Sequence, residues 1–317
     1  MSAGGSAAAT SSAGAGAFAG AAGAPVEAAG TSAATAGASS AQGGGSATSG
    51  ASGSANPSNG GSAGANPGAG GATSQAGAAA GGTASGGSAA GGATNDFAPC
   101  AKSAVPCKIM PLGDSITFGY GSSTGGGYRV ELFSRALADG KSLTFVGSQM
   151  SGPDEVSGKP FPQSNEGHSG YSIDDSSQTM GISPLVDAAL AKYAPQIVLL
   201  MIGTNDMHYA IDPSQAPTRL GNLLDRITGD VPNALIVVAQ IVPANGAQNT
   251  LTKTYNAAIP AVVSARVKAG KHLILVDQYD ALGSWSTSEF HDSEHPNDAG
   301  YIKMGDTWYA AIRSLLP

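Results

Sequence analysis

The sequence predicts an α/β protein, a three-layer α/β/α sandwich built on a five-stranded parallel sheet and preceded by a disordered tail. Two observations predict this fold class. Five short apolar runs beyond residue 107 have the length and composition of buried strands, and segments with helical periodicity separate most of them. Because this alternation requires crossover connections, the strands are expected to run parallel with helices on both faces of the sheet.

The individual elements follow from the same patterns. The predicted strands are Lys108–Leu112, Leu143–Gly147, Gln196–Ile202, Ala234–Ile241 and Leu273–Val276. The predicted helices are Tyr128–Asp139, Ile173–Gln178, Pro184–Tyr193, Thr218–Thr228, Leu251–Lys268 and a last helix that starts at its cap Asn297 and runs to Leu316. The polar segment Ser148–Tyr171 is too long for a plain connection in a compact fold, so we expect it to be a functional loop.

Residues 1–96 differ in composition from the rest of the chain. Gly, Ala, Ser and Thr dominate, and Glu27 and Asp96 are the only charged residues. Since this segment offers almost no apolar surface to bury, we expect it to be a disordered linker, with residues 97–317 forming one folded domain. We recognise no signal-peptide pattern and no membrane span, so the linker either floats free or follows an export signal or second module.

Charge and cysteine content narrow the function classes. Setting aside the two acidic residues of the tail leaves 20 Asp and Glu against 15 Lys and Arg, with no extended basic run. This balance argues against nucleic acid and anionic membranes as partners. Cys100 and Cys107 lack the further ligands of a metal site, and we expect no metal or cofactor. They form either a disulfide, if the protein is exported, or two buried thiols.

Polar side chains collect at the carboxyl ends of the predicted strands, where open α/β sheets place their chemistry. Ser115 follows the first strand and would need a base and an oxyanion site to attack a carbonyl group. The segments that meet Ser115 at this edge are Asn165–Tyr171, Gly203–Asp206 and Asp292–Pro296. The sequence therefore predicts an active site assembled from four separate segments.

These segments resemble the four blocks of the SGNH, or GDSL, hydrolases. Gly113-Asp114-Ser115, Gly170, Asn205 in Gly-Thr-Asn-Asp, and Asp292-x-x-His295 occur in the order of that superfamily. The stretches 109–120 and 125–129, together with Asn-Glu-Gly-His-Ser-Gly and His-Pro-Asn-Asp-Ala-Gly-Tyr, look most similar to the acetyl xylan esterase branch, carbohydrate esterase family 3. The resemblance covers residues 108–316 and implies the flavodoxin-like fold of SGNH hydrolases.

The resemblance also implies roles for the matching residues. Ser115 would be the nucleophile, His295 its base, and Asp292 the carboxylate that orients the imidazole. The backbone N–H groups of Ser115 and Gly170 and the amide of Asn205 would bind the oxyanion. Among supporting residues, Asp114 is expected to brace the serine loop and Arg129 to hold the glycine-rich loop in place.

Each site residue also fits a structural role. Asn205 fits a turn cap, Gly170 an ordinary turn, and Asp292 a cap of the final helix. Of the other histidines, His291 is a rival base without a carboxylate three residues away, and His272 is expected at the surface. His168 and His208 are expected either to line the pocket or to face solvent.

The implied function is hydrolysis of short acyl esters, above all acetyl esters, on a plant cell-wall polysaccharide such as xylan. The alternatives are a lipase-like or thioesterase activity on the same fold, or a non-catalytic carbohydrate-binding surface module. The expected partners are an acetylated polysaccharide or a small ester, with neither nucleic acid nor a membrane span. The expected location is extracellular or at the cell surface, with the tail as a tether.

Overall fold

A computed structural model describes residues 97–100 and 105–317 of the chain. The predicted linker, residues 1–96, lies outside the described residues. None of the helices in the described part of the chain combines the length and the apolar character that crossing a membrane requires.

Nine strands and eight helices form the described domain. The strands are β1 (Cys107–Gly113), β2 (Leu143–Phe145), β3 (Gln149–Met150), β4 (Glu155–Val156), β5 (Lys159–Pro160), β6 (Ser164–Gly167), β7 (Ile197–Met201), β8 (Leu235–Gln240) and β9 (Leu273–Asp277). The helices are α1 (Ser115–Phe118), α2 (Tyr128–Ala138), α3 (Ser183–Tyr193), α4 (Thr204–His208), α5 (Ala216–Asp230), α6 (Gln248–Lys268), α7 (Gln278–Leu282) and α8 (Asp298–Ile312), and a 3₁₀ turn covers Arg313–Leu315.

The five predicted strands form one parallel sheet in the order β2-β1-β7-β8-β9. Helices α2 and α8 pack against each other, whereas α3, α5 and α6 form a second packed group. Along the sheet, the chain steps from β1 to β2 in one direction and from β7 through to β9 in the opposite direction. Because the crossovers are right-handed, this change of direction places the two helix groups on opposite faces of the sheet. The predicted α/β class is confirmed.

The long segment after β2 contains more regular structure than its polar composition predicts. Strand β6 pairs in parallel with the carboxyl end of β1, in line with β2 on the same edge, and β3 pairs antiparallel with β6. The sheet therefore has seven strands rather than five. Strands this short carry too few residues for an alternating pattern to be recognised.

The apolar core explains why these elements hold together. Every residue of β7 is buried, as expected for a central strand covered on both faces. Trp308 of α8 and Tyr128 of α2 are fully buried with their ring centroids 5.7 Å apart. Gly305 permits this close helix contact, because a Cβ at that position would lie 2.6 Å from the Cβ of Glu131.

The predicted helix Ile173–Gln178 is wrong, since the chain forms turns there. The Ser172 hydroxyl donates to the carbonyl of Asp174 at 2.8 Å, and the Ser176 hydroxyl accepts from the backbone N–H groups of Gln178 and Thr179 at 3.1 and 3.0 Å. Serine side chains that bond to nearby backbone compete with helical hydrogen bonds, and here they win.

The amino end of the domain lies at the opposite end of the sheet from Ser115. Cys100 and Cys107 form a disulfide, which is the expectation for an exported protein. The carbonyl of Pro99 accepts from the side chain of Gln196, just before β7. Phe97 stacks on His272, just before β9, with ring centroids 3.6 Å apart, so His272 is half-buried rather than at the surface as predicted.

Candidate active site

Ser115 lies at the turn between β1 and α1. Gly113 ends the strand where a Cβ would lie 2.2 Å from the carbonyl oxygen of Met201, so only glycine fits between the strand ends. Asp114 caps α1, because its carboxylate accepts the backbone N–H of Ile116 at 3.0 Å. The turn thus presents the Ser115 hydroxyl at the carboxyl end of the sheet, with the residue 7% exposed.

Asp114 is fully buried beneath this turn. Burial raises its pKa to about 6, although the N–H of Ile116 and the His295 imidazole partly oppose the rise. Its second carboxylate oxygen has no hydrogen-bond partner among the described residues. The contact with Ile116 fits the predicted bracing of the serine loop.

The structure brings Ser115, His295 and Asp292 into contact. Ser115 Oγ lies 2.8 Å from His295 Nε2, and His295 Nδ1 lies 2.8 Å from Asp292 Oδ2 and 3.0 Å from Oδ1. A carboxylate can only accept from Nδ1, so the imidazole carries its proton there and presents Nε2 as an acceptor to the serine hydroxyl. This arrangement can deprotonate a serine nucleophile.

A tight turn holds Asp292 in place. Its Oδ1 accepts the backbone N–H groups of Glu294 at 3.0 Å and His295 at 2.8 Å. Partial burial acts to raise the pKa of Asp292, but these two hydrogen bonds and the imidazole outweigh burial and lower it. The carboxylate therefore stays charged at neutral pH.

Trp285 supports the same turn and was not predicted from the sequence. Its indole N–H donates to the carbonyl of Asp292 at 2.7 Å, and its ring packs on Phe290. No short-range pattern in the sequence identifies this contact, because it depends on the path of the loop between α7 and α8.

Asn205 lies in the first turn of α4, directly after β7. Its side-chain N–H₂ group donates to the carbonyl of Tyr171 at 2.8 Å, which uses one of its two hydrogens. The neighbouring Asp206 accepts the backbone N–H of Ile173 at 3.0 Å and a hydrogen bond from Arg219 at 2.7 Å. Asn205 and Asp206 therefore anchor the segment that follows Gly170, and Asn205 keeps one N–H for another acceptor.

Gly170 lies on an exposed turn with a φ of +82°, and a Cβ added at this residue would meet nothing within 4 Å. Glycine is thus favoured here by backbone conformation rather than by crowding within the protein. Two residues earlier, the backbone N–H of His168 donates to the carbonyl of Gly113 at 2.9 Å, which ties this turn to the end of β1.

Arg129 is a buried cation that bonds to backbone carbonyls. It donates to the carbonyls of Thr117 at 3.3 Å, Phe118 at 3.1 Å, Gln163 at 3.2 Å and Ser151 at 3.0 Å. Burial lowers its pKa to about 10, so it stays charged at neutral pH. These contacts join α1 to the segment between β3 and β6, so the support that Arg129 gives goes to this junction rather than directly to the glycine-rich loop as predicted.

The remaining histidines occupy distinct surroundings. His168 Nε2 lies 2.8 Å from Glu166 in a nearly buried pair. His208 Nδ1 lies 2.8 Å from Glu294, and His208 is more exposed. His291 is exposed with its ring against Tyr120, and no carboxylate within the described residues pairs with it.

Comparison with known proteins identifies the family. The model of the GDSL-like lipase/acylhydrolase family matches residues 112–302, more than half of the chain. The chain belongs to this family. All the predicted site residues of this GDSL-like acylhydrolase, from Asp114 to His295, lie inside the matched region.

Several relatives of this GDSL-like acylhydrolase are esterases by name. A multidomain esterase from Ruminococcus flavefaciens is 32% identical over 241 residues, which cover 69% of this chain and 30% of that protein. The structure of a family 3 carbohydrate esterase from Clostridium thermocellum has a TM-score of 0.57 and 33% identity, covering 66% of this chain and 97% of that one. A family 3 carbohydrate esterase from Talaromyces cellulolyticus, with 24% identity, a TM-score of 0.56 and the same coverage, is alike in fold.

Proposed function

We propose that the protein is a serine esterase that removes acetyl groups from plant cell-wall polysaccharide such as xylan. The proposal rests on two contacts in series: Asp292 Oδ2 lies 2.8 Å from His295 Nδ1, and His295 Nε2 lies 2.8 Å from Ser115 Oγ. A carbohydrate-binding module has no use for a serine hydroxyl aligned with a histidine and a charged carboxylate, so these contacts favour an enzyme.

In the proposed mechanism, Ser115 Oγ attacks the ester carbonyl while His295 Nε2 accepts its proton. The carbonyl oxygen becomes an oxyanion bound by the backbone N–H groups of Ser115 and Gly170 and by the second N–H of Asn205. Collapse of this intermediate breaks the bond to the alcohol, which leaves with the proton from His295. A water molecule, deprotonated by His295, then hydrolyses the acyl-enzyme, releasing acetate and regenerating Ser115.

The hydrogen bonds that hold Asn205 and Asp292 support these roles. Asn205 is held by the carbonyl of Tyr171, so its free N–H points in one direction without reorganisation during the reaction. Asp292 is fixed by two backbone N–H groups, so it can stabilise the imidazolium without becoming the proton acceptor.

The substrate class is supported by the relatives. The 33% identical structure is a family 3 carbohydrate esterase, and the multidomain esterase from Ruminococcus flavefaciens is also an esterase by name. The chain spans less than a third of the latter protein, so the acetyl group, the polysaccharide and a tether through residues 1–96 all belong to this proposal. The Cys100–Cys107 disulfide supports an extracellular or cell-surface location.

The test is hydrolysis of p-nitrophenyl acetate by the full chain, with Ser115→Ala as the control. We expect activity that the control lacks, a steep fall from acetyl to butyryl to octanoyl esters, and release of acetate from acetylated xylan. Equal rates for both proteins would instead favour a carbohydrate-binding module. A preference for octanoyl esters would favour a lipase-like enzyme, and a preference for acyl thioesters a thioesterase.

A further inference from the structure

Two histidine–carboxylate pairs lie beside the triad, and they differ in what they leave free. In the first pair, both oxygens of Glu166 are used, since Oε1 lies 2.8 Å from His168 and accepts the Ser148 hydroxyl, while Oε2 accepts the Ser148 N–H. The side chains of Glu166 and His168 are 3% and 11% exposed. This pair is nearly closed to solvent and serves the fold.

The second pair, His208 and Glu294, has free polar atoms. His208 Nδ1 lies 2.8 Å from Glu294 Oε2, and the side-chain N–H₂ of Gln248 donates to the same oxygen at 2.9 Å. Across the described part of the chain, Oε1 of Glu294 receives no hydrogen bond, although the Glu294 side chain is only 12% exposed. The His208 side chain is 38% exposed.

This pair lies at the active site because of its neighbours in the chain. Glu294 stands between Asp292 and His295 and donates its backbone N–H to Asp292. His208 follows Asn205 by three residues in α4, and residues three apart share one face of a helix. The pair therefore connects the loop that carries the base with the helix that carries the oxyanion donor.

The chemistry of the pair selects hydroxyl donors. Because Glu294 only accepts hydrogen bonds, neutral His208 carries its proton on Nδ1 and presents Nε2 as an acceptor. The partly exposed His208 ring thus offers Nε2 as an acceptor, and Glu294 Oε1 is a second acceptor without a hydrogen bond among the described residues. Tyr209, which is 43% exposed, sets its ring edge-on to His208 at 4.6 Å and adds an apolar surface. An acetyl group offers no hydrogen-bond donor, whereas a sugar offers several hydroxyls and apolar C–H faces.

We propose that His208 and Glu294 form a subsite that binds hydroxyl groups of the sugar carrying the ester, with Tyr209 against the sugar ring. The subsite recognises the alcohol half of the substrate, whereas the triad and oxyanion donors act on the acyl half. This inference rests on the proposed esterase function and deepens it.

The test compares two acetate esters, one with and one without sugar hydroxyls. We would measure kcat and KM of the wild type, His208→Gln and Glu294→Gln on p-nitrophenyl acetate and on methyl xyloside monoacetate. For each protein, kcat/KM for the xyloside is divided by kcat/KM for the aryl ester. We expect this ratio to fall about tenfold in each variant, because KM for the xyloside rises. A tenfold loss is the size expected when a hydrogen bond to a charged or oriented acceptor is removed.

His291→Gln is the matched control, because His291 is another exposed histidine near the triad without a carboxylate partner among the described residues, and its ratio should equal that of the wild type. The proposed subsite would be contradicted if the His208 and Glu294 variants lost kcat/KM equally on both esters, or lost none on either ester. In that case the pair would only connect two structural segments, and the esterase assignment would stand. Failure of the proposed function is a separate result, since the wild type would then match Ser115→Ala on both esters.

Discussion

Asp114 is expected to make the stability of the domain depend on pH. Its carboxyl group is completely buried, one oxygen accepts the N–H of Ile116, and the other has no partner among the described residues. Burial raises its pKa from 3.8 to about 6. Between these two values the folded protein holds a proton at Asp114 that the unfolded chain has released.

The sign follows from this difference in bound protons. The stabilisation linked to the protonated group is fully present below the unfolded pKa and is lost as the pH rises through the folded pKa. A rise of about two pKa units corresponds to roughly 3 kcal/mol in the free energy of unfolding, at about 1.4 kcal/mol per unit. Asp114→Asn keeps an oxygen for the Ile116 N–H and carries no charge at any pH. The stability of this variant relative to wild type should therefore rise by roughly 2 kcal/mol between about pH 4 and pH 7.5, because part of the stabilisation of the wild type is already lost at pH 4.

Guanidinium unfolding of both proteins across this pH range measures the difference directly. Thr117→Val is the control, because Thr117 is buried in the same turn and accepts a hydrogen bond from Tyr128 but does not titrate. Its stability relative to wild type should stay constant with pH. If the difference for Asp114→Asn were equally constant, Asp114 would not carry the raised pKa and the reasoning would be refuted.

Three further predictions concern the oxyanion site and its support. Asn205→Ala should lower kcat by about 10²–10³-fold with little change in KM, because in the proposed mechanism the free N–H of Asn205 binds only the developing oxyanion. A higher KM with unchanged kcat would instead make Asn205 a substrate-binding residue. Gly170→Ala and Gly140→Ala both place a Cβ in open space at positive φ, +82° and +65°, so each should cost about 1–2 kcal/mol in thermal unfolding. Only Gly170→Ala should lower kcat, and equal turnover in the two variants would remove Gly170 from the oxyanion site. Arg129→Met leaves backbone carbonyls in several segments without their donor, so the unfolding free energy should fall by roughly 3 kcal/mol; an unchanged denaturant midpoint would contradict this role.

The sheet was predictable because its strands are apolar throughout and separated by amphipathic helices. The pattern in Gln196–Ile202 is so continuous that only a central strand satisfies it, and β7 is fully buried. The pattern failed at Ile173–Gln178, where serine hydroxyls bond to the backbone. It also failed at β6 and β3, because pairing of β6 with β1 and of β3 with β6, rather than local periodicity, creates these strands.

The candidate site was predictable in its members and not in its contacts. Ser115 and Asn205 follow predicted strands, and Asp292 and His295 stand three residues apart just before the last helix, so a sequence can display all four. The contacts of Trp285 and of the His208–Glu294 pair depend on loop paths and on segments far apart in the chain, so only the fold shows them. The role of the His208–Glu294 pair in turnover is a prediction that the kinetic comparison of the two esters tests.

The attachment of Phe97 and Pro99 near the amino ends of β7 and β9 places residue 97 on the side of the sheet away from Ser115. Ser115 follows the opposite end of β1, a strand of seven residues, so about 20 Å of sheet separates the two ends. A label or anchor attached at residue 97 would therefore lie on the side of the sheet away from Ser115. An anchor placed instead at Tyr120, whose ring lies 4.5 Å from that of His295, or at Tyr209, which follows α4, would lie on the same side of the sheet as Ser115.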